Sequence, residues 1–261
     1  MNARVTGLKC VSRGLGIVRR LRKSRAVLLW SALCLWTAGA VAQELSPRAY
    51  WPAPKGTRGL ILGYSYSSGD VLTDPSLPAY GVDSSINTGF LGYFHIISLW
   101  GRTANIVFEV PVSWGTTKGI LEGDPARRDF TGFNDLGITL AVNLLGAPTM
   151  TRADFQELRA NPRPILGASV KVVPPTGRYE SDKLINTGAN RWAVKTELGY
   201  IIPLRPRWLL ELEGGIWFFS EDPDFVQGPR KQDPVYAGEI HLVRRFKPGF
   251  WASLEFNHFT G

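Results

Sequence analysis

Trp208-Leu209-Leu210-Glu211-Leu212-Glu213-Gly214-Gly215-Ile216-Trp217-Phe218-Phe219 is the stretch on which the fold turns. Taken at every second residue, one set is Trp208, Leu210, Leu212, Gly214, Ile216 and Phe218. The other set is Leu209, Glu211, Glu213, Gly215, Trp217 and Phe219. Successive side chains of a strand point to opposite faces, so this is a strand with one apolar face and one that carries charge. The split recurs upstream, with Trp192, Val194, Thr196, Leu198, Tyr200 and Ile202 opposite Arg191, Ala193, Lys195, Glu197, Gly199 and Ile201. It is found again where Ile106, Phe108, Val110, Val112 and Trp114 alternate with Asn105, Val107, Glu109, Pro111 and Ser113.

Nine such segments are expected, at 59–67, 87–99, 104–114, 133–145, 164–173, 191–202, 207–219, 235–245 and 250–259. Their lengths suit tilted strands crossing a hydrocarbon layer, which takes about 9–11 residues. Long connections rich in Gly, Pro, Asp and Ser are expected at 68–86, 115–132, 174–190 and 220–234, and short ones at 100–103, 203–206 and 246–249. Long and short connections on alternate ends are the mark of an outer-membrane barrel. The stretch 146–163 breaks the alternation with a short helix at Ala153–Arg159, expected on the periplasmic side. Tryptophans 100, 114, 192, 208, 217 and 251 fall near strand ends, where amphipathic rings suit the headgroup zone. The fold class is therefore all-β: an antiparallel, up-and-down transmembrane β-barrel.

Charge supports export rather than nucleic-acid binding. Eight of the 30 basic residues and none of the 22 acidic ones lie within residues 1–42, so the remainder is formally balanced. The basic run ends at Arg25, the apolar run Ala26–Ala38 follows, and Ala40-Val41-Ala42 makes a small-x-small cleavage signal before Gln43. The apolar run is too short for a spanning helix, so residues 1–42 are expected to be a removable signal peptide and 43–261 the barrel domain. Both cysteines, Cys10 and Cys34, fall in the leader, which excludes disulfides and thiolate metal sites from the mature chain.

Val172-Val173-Pro174-Pro175-Thr176-Gly177-Arg178-Tyr179, followed by Asn186-Thr187-Gly188-Ala189-Asn190-Arg191-Trp192, resembles the outer-membrane transporters of the phenol meta-pathway degradation family. Thr131-Gly132-Phe133-Asn134-Asp135-Leu136 is similar to the lead-in of that family's fourth strand. The likeness extends over residues 44–261 and implies a hydrocarbon-uptake type of barrel. It also implies further strands and a C-terminal aromatic residue recognised by the barrel-assembly machinery. This chain stops at His258-Phe259-Thr260-Gly261 after an odd number of strands, so a barrel truncated before closure is expected.

With the more polar face inward, the lumen would carry Glu109, Lys171, Arg191, Lys195, Glu197, Glu211, Glu213, Glu239, His241 and Glu255. Two outcomes remain open: a polar passage that favours cations, or a salt-bridged interior that fills the barrel. The function expected is a channel for small solutes, and the resemblance implies aromatic or hydrophobic ones. The alternatives are a closed structural or adhesion barrel and an outer-membrane lipid hydrolase. For the last, His241 would have to meet Ser253 with Glu239 nearby, and His95 is placed on the inner face of its strand. Glu221-Asp222-Pro223-Asp224 is a solvated acidic loop or a cation site. No cofactor, metal ion or nucleic acid is expected, lipid is the surrounding partner, and the sequence sets no oligomeric state.

Overall fold

The computed structural model describes residues 48–71, 79–226, 228–247 and 249–261. The expected leader and its cleavage signal lie outside the described residues. Ten strands follow in order, beginning with β1 (Arg58–Val71), β2 (Ala79–Leu99), β3 (Arg102–Leu121), β4 (Asp124–Phe133) and β5 (Gly137–Leu145). Helix α1 (Arg152–Ala160) comes next, then β6 (Ile165–Val173), β7 (Ala193–Arg205), β8 (Trp208–Phe219), β9 (Val235–Lys247) and β10 (Phe250–Thr260). Every pairing is antiparallel, and nine strands form the wall in sequence order, with β4 off this path on β3. The sheet curls into an open half-barrel whose free edges, among the described residues, are β1 and β10.

The nine wall strands agree with the expectation, but two of the expected loops are largely strand. Residues 115–121 continue β3, and 124–133 return along it as β4, so the segment expected at 133–145 begins its wall pairing only at Gly137. Glu122 and Gly123 close this hairpin with φ of 52° and 94°. Positive φ at both turn residues suits a two-residue hairpin, because its twist matches that of the flanking strands. Likewise 79–86 belongs to β2, and β1 runs on to Val71. These extensions carry many Ser, Thr, Gly, Asp and Arg residues, a loop-like composition, but pair through their backbones.

Strand parity separates the two faces. Leu62, Leu198, Leu254 and Phe256 stand out on the convex face, each more than half exposed. Leu209, Glu211, Glu239, His241 and Val243 are buried on the other. Cross-strand partners share a face, and His95 pairs with Ile106, itself opposite Leu140. His95 therefore lies on the outer face and not on the inner one expected, because pairing with β3 sets the parity of β2. Trp217 and Trp251 also differ from the expected lipid girdle, because both occupy inward positions on their strands.

One end of the half-barrel is filled by an apolar cluster. Tyr50 and Trp51, ahead of β1, pack with Met150, Leu158, Ile165, Ile201, Leu209 and Val243. The cross-strand pair Gly167 and Gly199 makes the slot for Tyr50, whose ring would lie 2.1 Å from a Cβ at either position. The Tyr50 hydroxyl donates to Glu197 at 2.9 Å and lies 3.0 Å from Ser169 Oγ. Helix α1 covers this end, as its place in the short-turn series predicts. It starts with a capping box in which Asp154 N donates to Thr151 Oγ1 at 3.3 Å and Thr151 N donates to Asp154 at 2.8 Å.

Leu198, near the middle of β7 and 57% exposed, tests the facing. Leu198→Arg is expected to cost about 2–4 kcal/mol in lipid vesicles, the cost of a cation near the midplane. Denaturant titration of the vesicle-inserted protein measures it, and an unchanged midpoint would reverse the assignment of faces.

Candidate functional site

The inner face concentrates charge on β7, β8 and β9. The register sets Glu211 opposite His241, and His241 opposite Glu255 on β10. One step toward the other end, Glu213 lies opposite Glu239. Lys195 Nζ donates to Glu197 at 2.5 Å and lies 3.5 Å from Glu239 Oε1. Glu239 Oε2 in turn is 3.6 Å from His241 Nε2, and Glu213 Oε2 is 3.9 Å from the same nitrogen. Glu211 accepts a hydrogen bond from the Arg48 backbone N–H at 2.7 Å. A separate pair joins Lys171 Nζ to Glu109 at 2.6 Å across β3, β5 and β6. Nine of the ten expected lumen residues thus lie on the inner face of wall strands. Arg191 precedes β7 and stacks its guanidinium 4.6 Å from the Phe219 ring.

Buried charges are costly unless they meet opposite charge, and Lys195 and Lys171 supply it for Glu197, Glu239 and Glu109. Lys195 is shared between two carboxylates, so none of the three is isolated. Toward the outer end, Trp217 and Phe219 stack with centroids 6.2 Å apart and planes at 9°. Lys195 Nζ stands 6.0 Å from the Trp217 ring, so this inner aromatic pair has cations over both rings.

The supposed hydrolase pair does not form. Ser253 lies opposite Val243, while Glu255 faces His241. The Ser253 hydroxyl donates to Glu255 at 2.5 Å, so its proton is held by a carboxylate rather than an imidazole. A serine nucleophile needs a base in hydrogen-bond reach, itself oriented by a third group.

The outer rim is knotted around Asp135, at the point where the partner of β3 changes from β4 to β5. Asp135 Oδ1 accepts from Thr176 N at 2.9 Å and Gly177 N at 2.7 Å, and Oδ2 accepts from Ala189 N at 2.8 Å. The Thr176 hydroxyl oxygen accepts in return from Leu136 N at 2.9 Å. Gly177 and Gly188 meet backbone to backbone: a Cβ on Gly177 would lie 2.7 Å from Gly188 Cα and 2.8 Å from Asn134 C. Arg178 N donates to Phe133 O, and Gly188 N to Arg178 O, which binds the 174–190 loop to the end of β4.

Asp222 fastens the neighbouring loop in the same manner. It is 4% exposed and accepts from the Tyr179 hydroxyl at 2.9 Å and from Asn190 Nδ2 at 2.8 Å. Part of the supposed solvated acidic run is therefore a buried tie between two loops. Beside the knot, a recess of about 440 Å³ is lined by Arg128, Arg178 and Glu180 among others. Glu180 pairs with both arginines, at 3.2 and 2.8 Å.

Residues 66–260 match the family model described as "Putative MetA-pathway of phenol degradation". The chain belongs to this family. The three motifs that carried the resemblance, 131–136, 172–179 and 186–192, are the segments that meet around Asp135, the two ends of the β6–β7 loop and the lead-in to β5 closed by one carboxylate. Sequence spacing alone could not reveal that closure. Among solved structures, the crystal structure of an outer membrane channel from Pseudomonas putida F1 is similar, with a TM-score of 0.62 and 24% identity. The likeness covers 83% of this chain and 76% of that one, and it shows the shared fold. No curated protein matches the chain.

Asp135→Ala removes one acceptor for three backbone donors, and hydrogen bonds to charged groups contribute about 1.5–3 kcal/mol each. Allowing for water at this rim, a loss of about 3 kcal/mol is expected, together with faster protease cleavage within 174–190. Gly177→Ala should give the same cleavage pattern, since its Cβ would meet backbone on both sides. Protection equal to that of the unaltered chain would show that the knot does not hold the loops.

Burial, and then the hydrogen bond to Asp222, push the Tyr179 phenol up to about 12. The neutral phenol is therefore favoured in the folded state. Its contribution is present below the ordinary tyrosine value of about 10 and lost as pH rises through about 12. Difference absorbance between the unaltered chain and Tyr179→Phe should place this phenolate at the higher value, and a midpoint near 10 would contradict the burial.

Proposed function

We propose that this chain forms the wall of an outer-membrane channel for small solutes, with small aromatic compounds as the class carried. The observation that carries the reading is a wall with two opposed faces: exposed leucine and phenylalanine outside, and charge with stacked aromatic rings inside. Such a surface is stable where hydrocarbon meets one side and water or solute the other. The family's description in terms of phenol degradation supports the aromatic class. The similar Pseudomonas putida F1 structure is described as an outer membrane channel, and its fold supports the same role.

On this reading Glu109, Lys171, Arg191, Lys195, Glu197, Glu211, Glu213, Glu239, His241 and Glu255 line the path and contact solute. Trp217 and Phe219 offer a stacking surface near its outer end. Carboxylates outnumber cations along the path, so neutral and cationic solutes enter ahead of anions. The chain is exported behind a leader cleaved after Ala42 and inserted by the barrel-assembly machinery.

A second reading, a closed structural barrel, draws on the Tyr50, Trp51 and Met150 cluster that fills one end.

Proteoliposome swelling separates the two, using heat-modifiable protein purified as this chain and as the chain with any residues encoded downstream of Gly261. Swelling in neutral aromatic solutes faster than in anionic ones of equal size is expected. Glu109→Gln with Glu255→Gln should narrow that difference by about threefold, the change expected when roughly 0.6 kcal/mol of electrostatic bias is lost. Folded protein that passes no solute in either form would transfer the function to the closed barrel.

A further inference from the structure

The His241 imidazole is wholly buried, and neither ring nitrogen has a hydrogen-bond partner. An unpaired buried polar group is costly, so a group held this way calls for a partner. Its Nε2 is aimed at two carboxylate oxygens, Glu239 Oε2 at 3.6 Å and Glu213 Oε2 at 3.9 Å. Those distances are too long for hydrogen bonds. They are close to the separation of two ligands on one ion, since atoms each about 2.0–2.1 Å from a tetrahedral zinc lie about 3.4 Å apart. The three ligand atoms all fall within 4.8 Å of one another. We propose that Glu213, Glu239 and His241 form a binding site for a divalent cation of the zinc class inside the barrel.

The backbone positions the three ligands. Glu213 and Glu239 are direct cross-strand partners on β8 and β9, and His241 follows Glu239 by two residues on the same face. Two paired strands therefore present all three without a loop, so little ordering is needed on binding. One imidazole and two carboxylates are donors that suit zinc better than magnesium or calcium, which prefer oxygen alone. Charge points the same way. Glu211, across the sheet from His241, keeps a buried Oε1 without a hydrogen bond, and Glu255 faces His241 from the other side. Lys195 engages Glu197 and the other oxygen of Glu239, leaving Glu239 Oε2 turned toward His241. A cation here would tie β8 to β9, with its fourth position left to water in the lumen. The site concerns binding alone and does not depend on which solute the barrel passes.

Isothermal titration of the detergent-folded full chain with zinc chloride tests the site, with cobalt as the spectroscopic probe. One equivalent is expected to bind, weakened by at least about tenfold in Glu239→Gln and in His241→Gln, since even outer-shell changes cost 10–100-fold. His95 and His258 both lie on the outer face, so the H95Q/H258Q double variant leaves the site intact. This variant should keep the equivalent and the imidazole signature in X-ray absorption, which settles the ligand even if His241→Gln fails to fold. No stoichiometric binding by the unaltered chain, or loss of the imidazole signal in the double variant, would overturn the proposal.

Discussion

Backbone pairing limits this molecule more than any side chain does. In hydrocarbon each N–H and C=O must find its partner inside the protein, and an antiparallel ladder meets that need for every wall strand except at the edges. The ladder then imposes its period of two on the side chains. Once Leu198 faces out, Lys195, Glu197 and Gly199 must face in, and the register carries the same parity across β6, β8 and β9. The buried charges are thus a consequence of the pairing as much as of their own attraction.

Inside, that parity brings together groups that repel as well as groups that attract. Glu213 opposite Glu239 would be an unfavourable pair on its own, and Lys195, 3.5 Å from Glu239 Oε1, offsets part of that repulsion. The Tyr50 segment adds a second kind of fixation, with its ring in the slot left by Gly167 and Gly199 and its hydroxyl on Glu197. Apolar packing and the charge row are therefore connected through one side chain, so a change in the filled end will be felt along the row.

At the rim the problem is different, because β3 changes partner and the wall would otherwise open. Pro111 has no N–H to offer at that level, while its carbonyl accepts from Asn134 N at 2.9 Å. Asp135 then gathers N–H groups from both ends of the β6–β7 loop, so that Pro-Thr-Gly and Asn-Thr-Gly, far from it in sequence, close on one carboxylate. A glycine at 177 and another at 188 are needed because the two backbones touch.

Period-two alternation determined the strand class, the two faces and nearly every inward charge, since side-chain direction in a strand is a local property of the backbone. The helix at 152–160 was legible as a helical stretch at 153–159 between prolines, because helix formation is likewise local. What only tertiary structure decided is where pairing stops and which distant groups meet. The polar residues of 115–133 have loop composition, yet they form a hairpin because β3 supplies a partner whose hydrogen bonds ignore side-chain polarity. The inward turn of Trp217 and Trp251 follows the parity of Glu213 and Glu255, whereas the outward place of His95 and the closure at Asp135 depend on register. Register is fixed by contacts between strands, and a single strand's sequence does not contain them.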